Sequence, residues 1–225
     1  MSGSRLIRAD LHNHTHYSPD SILSPKDFAR RAHERGLDCI AVTDHNTIRG
    51  GLAVREIADC RVIVGAEVLT SDGELLGLFL TKDVPRGLPG AETIARIKEQ
   101  GGLIGVPHPF DSLRSALDTR KMTALIDQID FIECLNARIV VAGHNEQALR
   151  FAQQNNKPAS AGSDAHSRRE VGRAYVEMPA FEGPKDFLES LRKGTPRGRL
   201  SSPLVHLISR YAVLRRWLGW RPDTA

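Results

Sequence analysis

Short apolar runs along the chain alternate with segments whose apolar positions recur every three or four residues. The apolar runs predict strands, and they lie at 6–11, 37–43, 61–66, 74–80, 103–106, 131–135, 158–162 and, as the last, 173–178. The intervening periodicity predicts helices, which cover 91–100, 144–155 and 185–193. An earlier helix starts from residue 24, and another precedes the run at 131–135. This alternation is typical of βα units around a parallel sheet or barrel.

The first helix and one hairpin have the clearest local signals. Ser24 suits the N-cap, Pro25 the first helical position and Asp27 the first turn, and Gly36 is expected to end the helix. The turn-forming segment 71–73 predicts a hairpin between the runs 61–66 and 74–80.

Metal-binding residue types fall at the C-terminal ends of the predicted strands. They are His12, His14, His45, Glu67, His108 and Asp164. In a (β/α) barrel these strand ends form one face of the molecule. We therefore expect residues that are far apart in the chain to meet in one bowl.

His12 and His14 have a spacing of two residues, which places both imidazoles on the same side of a strand. Two such nitrogens can bind one metal ion. Asp10 shares that side and is expected either to orient a ligand or to cap a loop. Glu67 closes an apolar run, where a carboxylate needs a partner. Bridging two cations would provide one, and a salt bridge to an arginine is the alternative.

The later motifs contain His108, Asp164 and His166. His108 lies between Pro107 and Pro109, which stiffen the backbone around it. Asp164 and His166 repeat the two-residue spacing after a Gly-Ser pair that permits close backbone approach.

Five ordered motifs resemble those of the polymerase-and-histidinol-phosphatase (PHP) domain family. They run from about Asp10 to Tyr175 and read DLHNHT…SPDS, GLDCIAVTDHNT, GAE, VPHPF and AGSDAH. The resemblance implies a distorted (β/α)7 barrel with a site for two or three metal ions that hydrolyses phosphoesters.

The resemblance also implies a distribution of metal ligands. The first ion would be held by His12, His14, Glu67 and Asp164, the second by Glu67 and His108, and the third by Asp20, His45 and His166. Many members carry a histidine in the strand after the bridging glutamate, where this chain reads DGELLG. We expect Glu74 to supply an oxygen ligand there; the alternatives are a weaker second site and a glutamate that only follows a turn.

Substrate contacts are expected from two arginines and one asparagine. Arg114 and Arg138 follow candidate strands, and either can grip a phosphate bidentately. Asn136 lies in IECLNAR, which also resembles a family segment. The expected reaction is metal-assisted attack of hydroxide on phosphorus, with His45 or His166 able to protonate the leaving oxygen.

Composition bears on location and on the tail. No apolar run approaches the ~20 residues needed to span a bilayer, and the first residues lack a signal-peptide core. The three cysteines form no CxxC pair. We therefore expect a cytoplasmic protein.

The expected domains are a PHP metallohydrolase domain at 1–194 and a basic helical extension at 195–225, which carries six arginines and one aspartate. The helical spacing of its apolar residues favours packing on the barrel over steering of oligonucleotides, and these residues are Leu204, Leu207, Ile208, Tyr211, Leu214 and Leu218.

The sequence thus predicts a metal-dependent phosphoesterase with two or three divalent ions, which are zinc, manganese or iron. Its expected substrate is a phosphorylated small molecule or a nucleotide, with a short nucleic acid as a further option. The alternatives are an amidohydrolase-like metal-dependent hydrolase and a non-catalytic PHP interaction module. No strand end carries a lysine suited to bridging two metals, and the candidate ligands are nearly all present. No feature of the sequence specifies an oligomeric state.

Overall fold

A computed structural model describes residues 5–111, 114–141 and 143–222. Its strands are β1 (Leu6–Asp10), β2 (Cys39–Val42), β3 (Arg61–Thr70), β4 (Gly73–Leu78), β5 (Leu103–Val106), β6 (Phe131–Asn136), β7 (Ala159–Gly162), β8 (Ala174–Pro179) and β9 (Thr195–Gly198). Its helices are α1 (Pro25–Glu34), α2 (Arg49–Arg55), α3 (Gly90–Lys98), α4 (Thr119–Ala124), α5 (His144–Gln154), α6 (Pro184–Arg192) and α7 (Val205–Trp217).

All the strands belong to one curled sheet of mixed direction. Its order is β7-β6-β5-β4-β3-β2-β1-β8-β9. The pairs β1–β2, β2–β3, β5–β6 and β6–β7 are parallel, whereas β4 runs antiparallel to both of its neighbours. Backbone bonds near the end of β1 join it to the segment around β7, with Leu11 N donating to Ala161 O over 3.1 Å. The sheet is therefore a nearly closed barrel, and the predicted α/β barrel is confirmed.

Local signals placed most elements correctly. Ser24 accepts a hydrogen bond from Asp27 N at the start of α1, and Gly36 follows its end with a φ of 63°. The predicted hairpin is present, since Thr70 pairs with Gly73. The prediction that β3 ends before Glu67 is wrong, because pairing with β4 continues that strand to Thr70.

Two elements were missed by the sequence patterns. They are α2 and β9. Helix α2 contains two adjacent glycines, which ordinarily indicate a loop. Gly50 is required by close packing, because an added Cβ would lie 1.9 Å from Asp44 Oδ2. The prediction that β8 is the last strand is wrong, because the polar strand β9 pairs antiparallel with it.

The C-terminal helix α7 contacts the barrel through few and mostly polar groups. The Arg216 guanidinium donates to the carbonyl oxygens of His16 and Ser18, and Ala212 is its buried residue. Five of the six apolar residues expected to pack are instead exposed; they are Leu204, Leu207, Tyr211, Leu214 and Leu218. Within the described part of the chain, no helix combines the length and apolar character needed to cross a bilayer.

Candidate metal centre

His12 and His14 form the floor of the bowl, directly after β1. Both are buried, and their Nε2 atoms lie 3.1 Å apart. The other nitrogen of each ring, Nδ1, is within hydrogen-bond distance of a neighbouring side chain. His12 Nδ1 is 3.0 Å from Glu133 Oε1, and His14 Nδ1 is 3.1 Å from Ser18 Oγ. When the proton of a neutral imidazole is on Nδ1, the Nε2 atom carries a lone pair. Two lone pairs facing one another at this distance suit a shared cation.

Glu67 lies at the centre of the histidines. Its Oε1 is 3.0 Å from His108 Nε2, and its Oε2 is 3.3 Å from both His14 Nε2 and His45 Nδ1. The same Oε2 is 3.5 Å from His12 Nε2. One oxygen thus faces His108 and the other faces the remaining three rings, which is the arrangement that a bridging carboxylate requires.

A third group of ligands lies on the far side of His14. Asp20 Oδ2 is 3.0 Å from His166 Nε2 and 3.5 Å from His45 Nε2. His14, His45 and His166 each offer one nitrogen within 4.8 Å of the others. His166 Nδ1 lies 2.8 Å from the Asp164 carbonyl oxygen, and donation to it would leave Nε2 free for a cation.

Asp164 completes the first group. Its Oδ1 is buried, has no hydrogen-bond partner among the described residues and lies 3.4 Å from His14 Nε2. Its Oδ2 pairs with the Arg114 guanidinium and accepts from Asn136 Nδ2 over 3.0 Å. A buried carboxylate oxygen without a donor is costly. Because it faces two imidazole nitrogens, the donor set fits a divalent ion.

The acidic side chains are held in different protonation states. Burial raises the pKa of Glu67, but His12, His108 and His14 outweigh that effect and hold the pKa well below its usual range. For Glu74, burial and then the neighbouring Glu67 raise the pKa to about 8. Below that pH and without a counter-cation, Glu74 therefore carries a proton.

Glu74 lies beside two histidines of the cluster. On β4 its Oε2 is 3.9 Å from His108 Nε2, and its Oε1 is 4.0 Å from His45 Nδ1. His45, Glu67 and Glu74 can each offer one ligand atom within 4.8 Å of the others. This buried position supports the oxygen-ligand hypothesis over a glutamate that only follows a turn.

The structure brings all nine predicted metal-ligating residues into this bowl, together with Arg114 and Arg138. Arg138 is buried, pairs with Glu170 over 3.1 Å and lies 2.6 Å from His166 Nδ1. Asn136 differs from expectation, because it is fully buried and donates to Glu133 and Asp164. It supports those carboxylates and does not line the pocket.

Three pocket residues were missed by sequence reasoning, namely Ser115, which directly follows the predicted Arg114, and two residues of α7. A cavity of about 270 Å³ over the bowl is lined partly by His206 and Ser209 of α7. Ser209 Oγ accepts from the Arg138 guanidinium over 2.9 Å, and His206 Nε2 lies 3.1 Å from the Arg138 carbonyl oxygen. Neither residue belongs to a recognisable motif, and only the docking of α7 brings them to the site.

Comparisons with known proteins identify the domain family. A model described as the PHP domain matches residues 10–161, and one described as PHP-associated matches residues 142–196. An uncharacterized protein of Methanocaldococcus jannaschii is 40% identical over 144 residues, covering 58% of this chain and 82% of that protein.

Two crystal structures share the fold at low identity. One is a two-domain protein of Bacteroides vulgatus described as containing a predicted PHP-like metal-dependent phosphoesterase; the TM-score is 0.75 at 19% identity, covering 88% of this chain and 66% of that chain. The other is a lesion-specific endonuclease of Pyrococcus furiosus, with a TM-score of 0.65 at 19% identity, covering 88% of this chain and 60% of that chain. This chain thus spans no more than about two thirds of either.

The barrel gathers histidines and carboxylates into clusters that could hold metal ions. Because the PHP-domain match spans more than half of the chain, the protein belongs to the PHP domain family.

Proposed function

We propose that the protein hydrolyses a phosphomonoester, either of a small molecule or at the end of a nucleotide or short oligonucleotide, with two or three divalent ions bound. The observation that carries this proposal is Glu67, whose two oxygens face His108 on one side and three further histidines on the other. A site for a single ion has no need of a carboxylate shared in this way.

The proposed ligand sets follow the clusters already described. His12, His14, Glu67 and Asp164 would hold one ion, Glu67, Glu74 and His108 a second, and Asp20, His45 and His166 a third. Bound there, the ions would supply positive charge for a phosphoryl group and lower the pKa of water. Imidazole with carboxylate ligation suits zinc, manganese or iron.

The remaining polar side chains have separate proposed roles. Arg114 and Arg138 line the cavity and would bind the nonbridging phosphoryl oxygens. Burial lowers the pKa of His45, but Asp20 and Glu67 raise it overall to about 10, so the ring holds a proton. Burial, together with Arg138, brings the pKa of His166 to about 4. Of the two predicted proton donors, His45 is therefore favoured for protonating the leaving oxygen when the third position holds no ion, because a nitrogen that ligates an ion carries no proton.

The small volume of the cavity favours a substrate whose reacting group is compact. A volume of about 270 Å³, closed on one side by His206 and Ser209, accommodates a phosphoryl group with a small leaving group. A strand of nucleic acid could present only its end. The lesion-specific endonuclease and a 27% identical 5'-3' exoribonuclease of Haemophilus influenzae favour including nucleotides among the substrates tested.

The test is a panel of phosphomonoesters, nucleotides and cyclic amides, assayed before and after removal of metal. Hydrolysis of a phosphomonoester that is abolished by chelator and restored by manganese or zinc is the expected result. Hydrolysis of cyclic amides alone would favour the alternative of an amidohydrolase-like enzyme. Absence of all turnover with metal fully bound would favour the non-catalytic module.

Replacing Glu74 by alanine tests the second ion. We expect the variant to lose about one equivalent of metal while keeping the ion held by His12 and His14, because Glu74 contacts only the opposite side of the cluster. The oxygen ligand should also favour a harder ion such as manganese at that position. Unchanged stoichiometry and turnover would show that the carboxylate is not a ligand. The exposed Glu92→Ala is the matched control.

A further inference from the structure

A separate cavity, lined mainly by arginines, lies on the outer face of β1, β8 and β9. It has a volume of about 400 Å³ and shares no lining residue with the metal-site cavity. Five of its side chains are arginines, and none is acidic; they are Arg8, Arg35, Arg173, Arg197 and Arg199, joined by Tyr175 and two glycines.

The antiparallel sheet explains why these arginines meet. Residues directly opposite one another on paired strands share a face. Arg8 of β1 is opposite Glu177 of β8, and Tyr175 of β8 is opposite Arg197 of β9. Alternate residues of β8 are buried in the barrel, so Tyr175 and Glu177 face outward. Arg35, at the end of α1, closes one side of the cavity.

The positive charge of this cavity is only partly compensated. Glu177 pairs with Arg197 over 3.2 Å and with Arg8 over 3.9 Å. Arg173 and Arg199 form no ion pair with any described residue, and Arg173 Nε is buried without a hydrogen-bond partner.

The pKa of Arg35 is lowered by the same crowding of positive charge. Burial lowers its pKa, and the neighbouring arginines, including Arg173 and Arg199, lower it further. Like charges gathered in one concave site repel, and a bound anion would relieve both the repulsion and the unpaired donor.

We propose that this arginine cavity binds a ligand with at least two linked phosphoryl groups. Guanidinium groups present paired donors that match phosphate oxygens. Five arginines beside one glutamate exceed the charge of a single phosphate, and the volume of about 400 Å³ is larger than one phosphoryl group fills. The proposal concerns a surface outside the metal centre and stands independently of the proposed phosphoesterase activity.

Calorimetric titration with tripolyphosphate at low salt tests this proposal. The variant Arg173→Gln with Arg199→Gln should bind tripolyphosphate at least about tenfold more weakly, because two charged hydrogen-bond donors are lost. The control, Arg55→Gln with Arg86→Gln, removes the same charge from two exposed arginines elsewhere and should bind like the wild type. The Arg173 Nε–H resonance should shift on titration, which separates this cavity from binding at the metal centre.

A parallel titration with a short single-stranded oligonucleotide distinguishes the sources of the phosphoryl groups. If the double variant also loses affinity for the strand, the ligand is a nucleic-acid backbone; if only tripolyphosphate is affected, it is a free polyphosphate. Equal tripolyphosphate affinity in the double variant and the control would overturn the proposal. Where the double variant is poorly folded, Arg199→Gln alone applies the same test at an exposed side chain.

Discussion

Replacing His12 and His14 together by alanine is expected to lower phosphoester turnover at least ~10³-fold, the order lost when a transition-state charge stabiliser is removed. The two Nε2 atoms lie 3.1 Å apart and both face Glu67, so the double variant removes the nitrogen donors of the first proposed ion. Steady-state turnover on the best phosphomonoester, with metal content determined on the same samples, is the measurement.

The matched control for that variant is His33→Ala. His33 is an exposed histidine on α1, remote from the bowl. Its replacement should leave turnover and metal content unchanged. Turnover that survives both the double variant and chelation would place the active site elsewhere in the molecule.

Replacing Arg138 by methionine is expected to cost about 3 kcal/mol of folding free energy, because it leaves a buried carboxylate without its partner. Arg138 and Glu170 form a 3.1 Å pair in which both side chains are buried. Burial raises the pKa of Glu170 even though Arg138 and Ser167 lower it. Without the arginine, the pKa of Glu170 should rise further, because the burial that raises it is no longer opposed by Arg138. Chemical denaturation followed by circular dichroism gives the free energy.

A double-mutant cycle separates the charge pair from the other contacts of Arg138. The variant Arg138→Met with Glu170→Gln should be more stable than Arg138→Met alone, since no unpaired charge remains. Arg138 also donates to Ser209 and to the Val205 carbonyl oxygen of α7. A loss that is identical in both variants would assign the stability to those contacts, not to the ion pair.

The sequence was most informative where local chemistry and strand periodicity agree. Because the C-terminal ends of parallel strands lie on one face, His12, His108 and Asp164 could be expected to meet without any knowledge of their distances. Ser24 and Gly36 fixed the ends of α1 for equally local reasons. Glu67 was found as a site residue although β3 runs on beyond it.

Elements that depend on tertiary contacts were not predictable in this way. Helix α2 begins with Arg49-Gly50-Gly51, and its helical state depends on a close approach to Asp44 that no local pattern reveals. Strand β9 is short, polar and exposed, so it lacks the apolar alternation of a buried strand. The spacing of apolar residues in α7 correctly indicated a helix, but most of those residues are exposed, and the helix contacts the barrel mainly through polar groups.

The same limit applies within the site. The motif residues could be listed from the sequence, but the division of Glu67 between His108 and the other histidines is visible only in three dimensions. The resemblance of its segment to the family predicts that Asn136 contacts substrate. Its side-chain amide instead donates hydrogen bonds to Glu133 and Asp164. His206 and Ser209 reach the cavity from a helix outside the matched residues 10–196.

The central claim is that the bowl holds a multinuclear metal centre, and elemental analysis of protein purified without chelator tests it most directly. We expect at least two equivalents of divalent metal per chain, falling by at least one equivalent in the His12→Ala, His14→Ala variant. Less than one equivalent in the wild-type protein, with none regained on titration with manganese or zinc, would contradict the account.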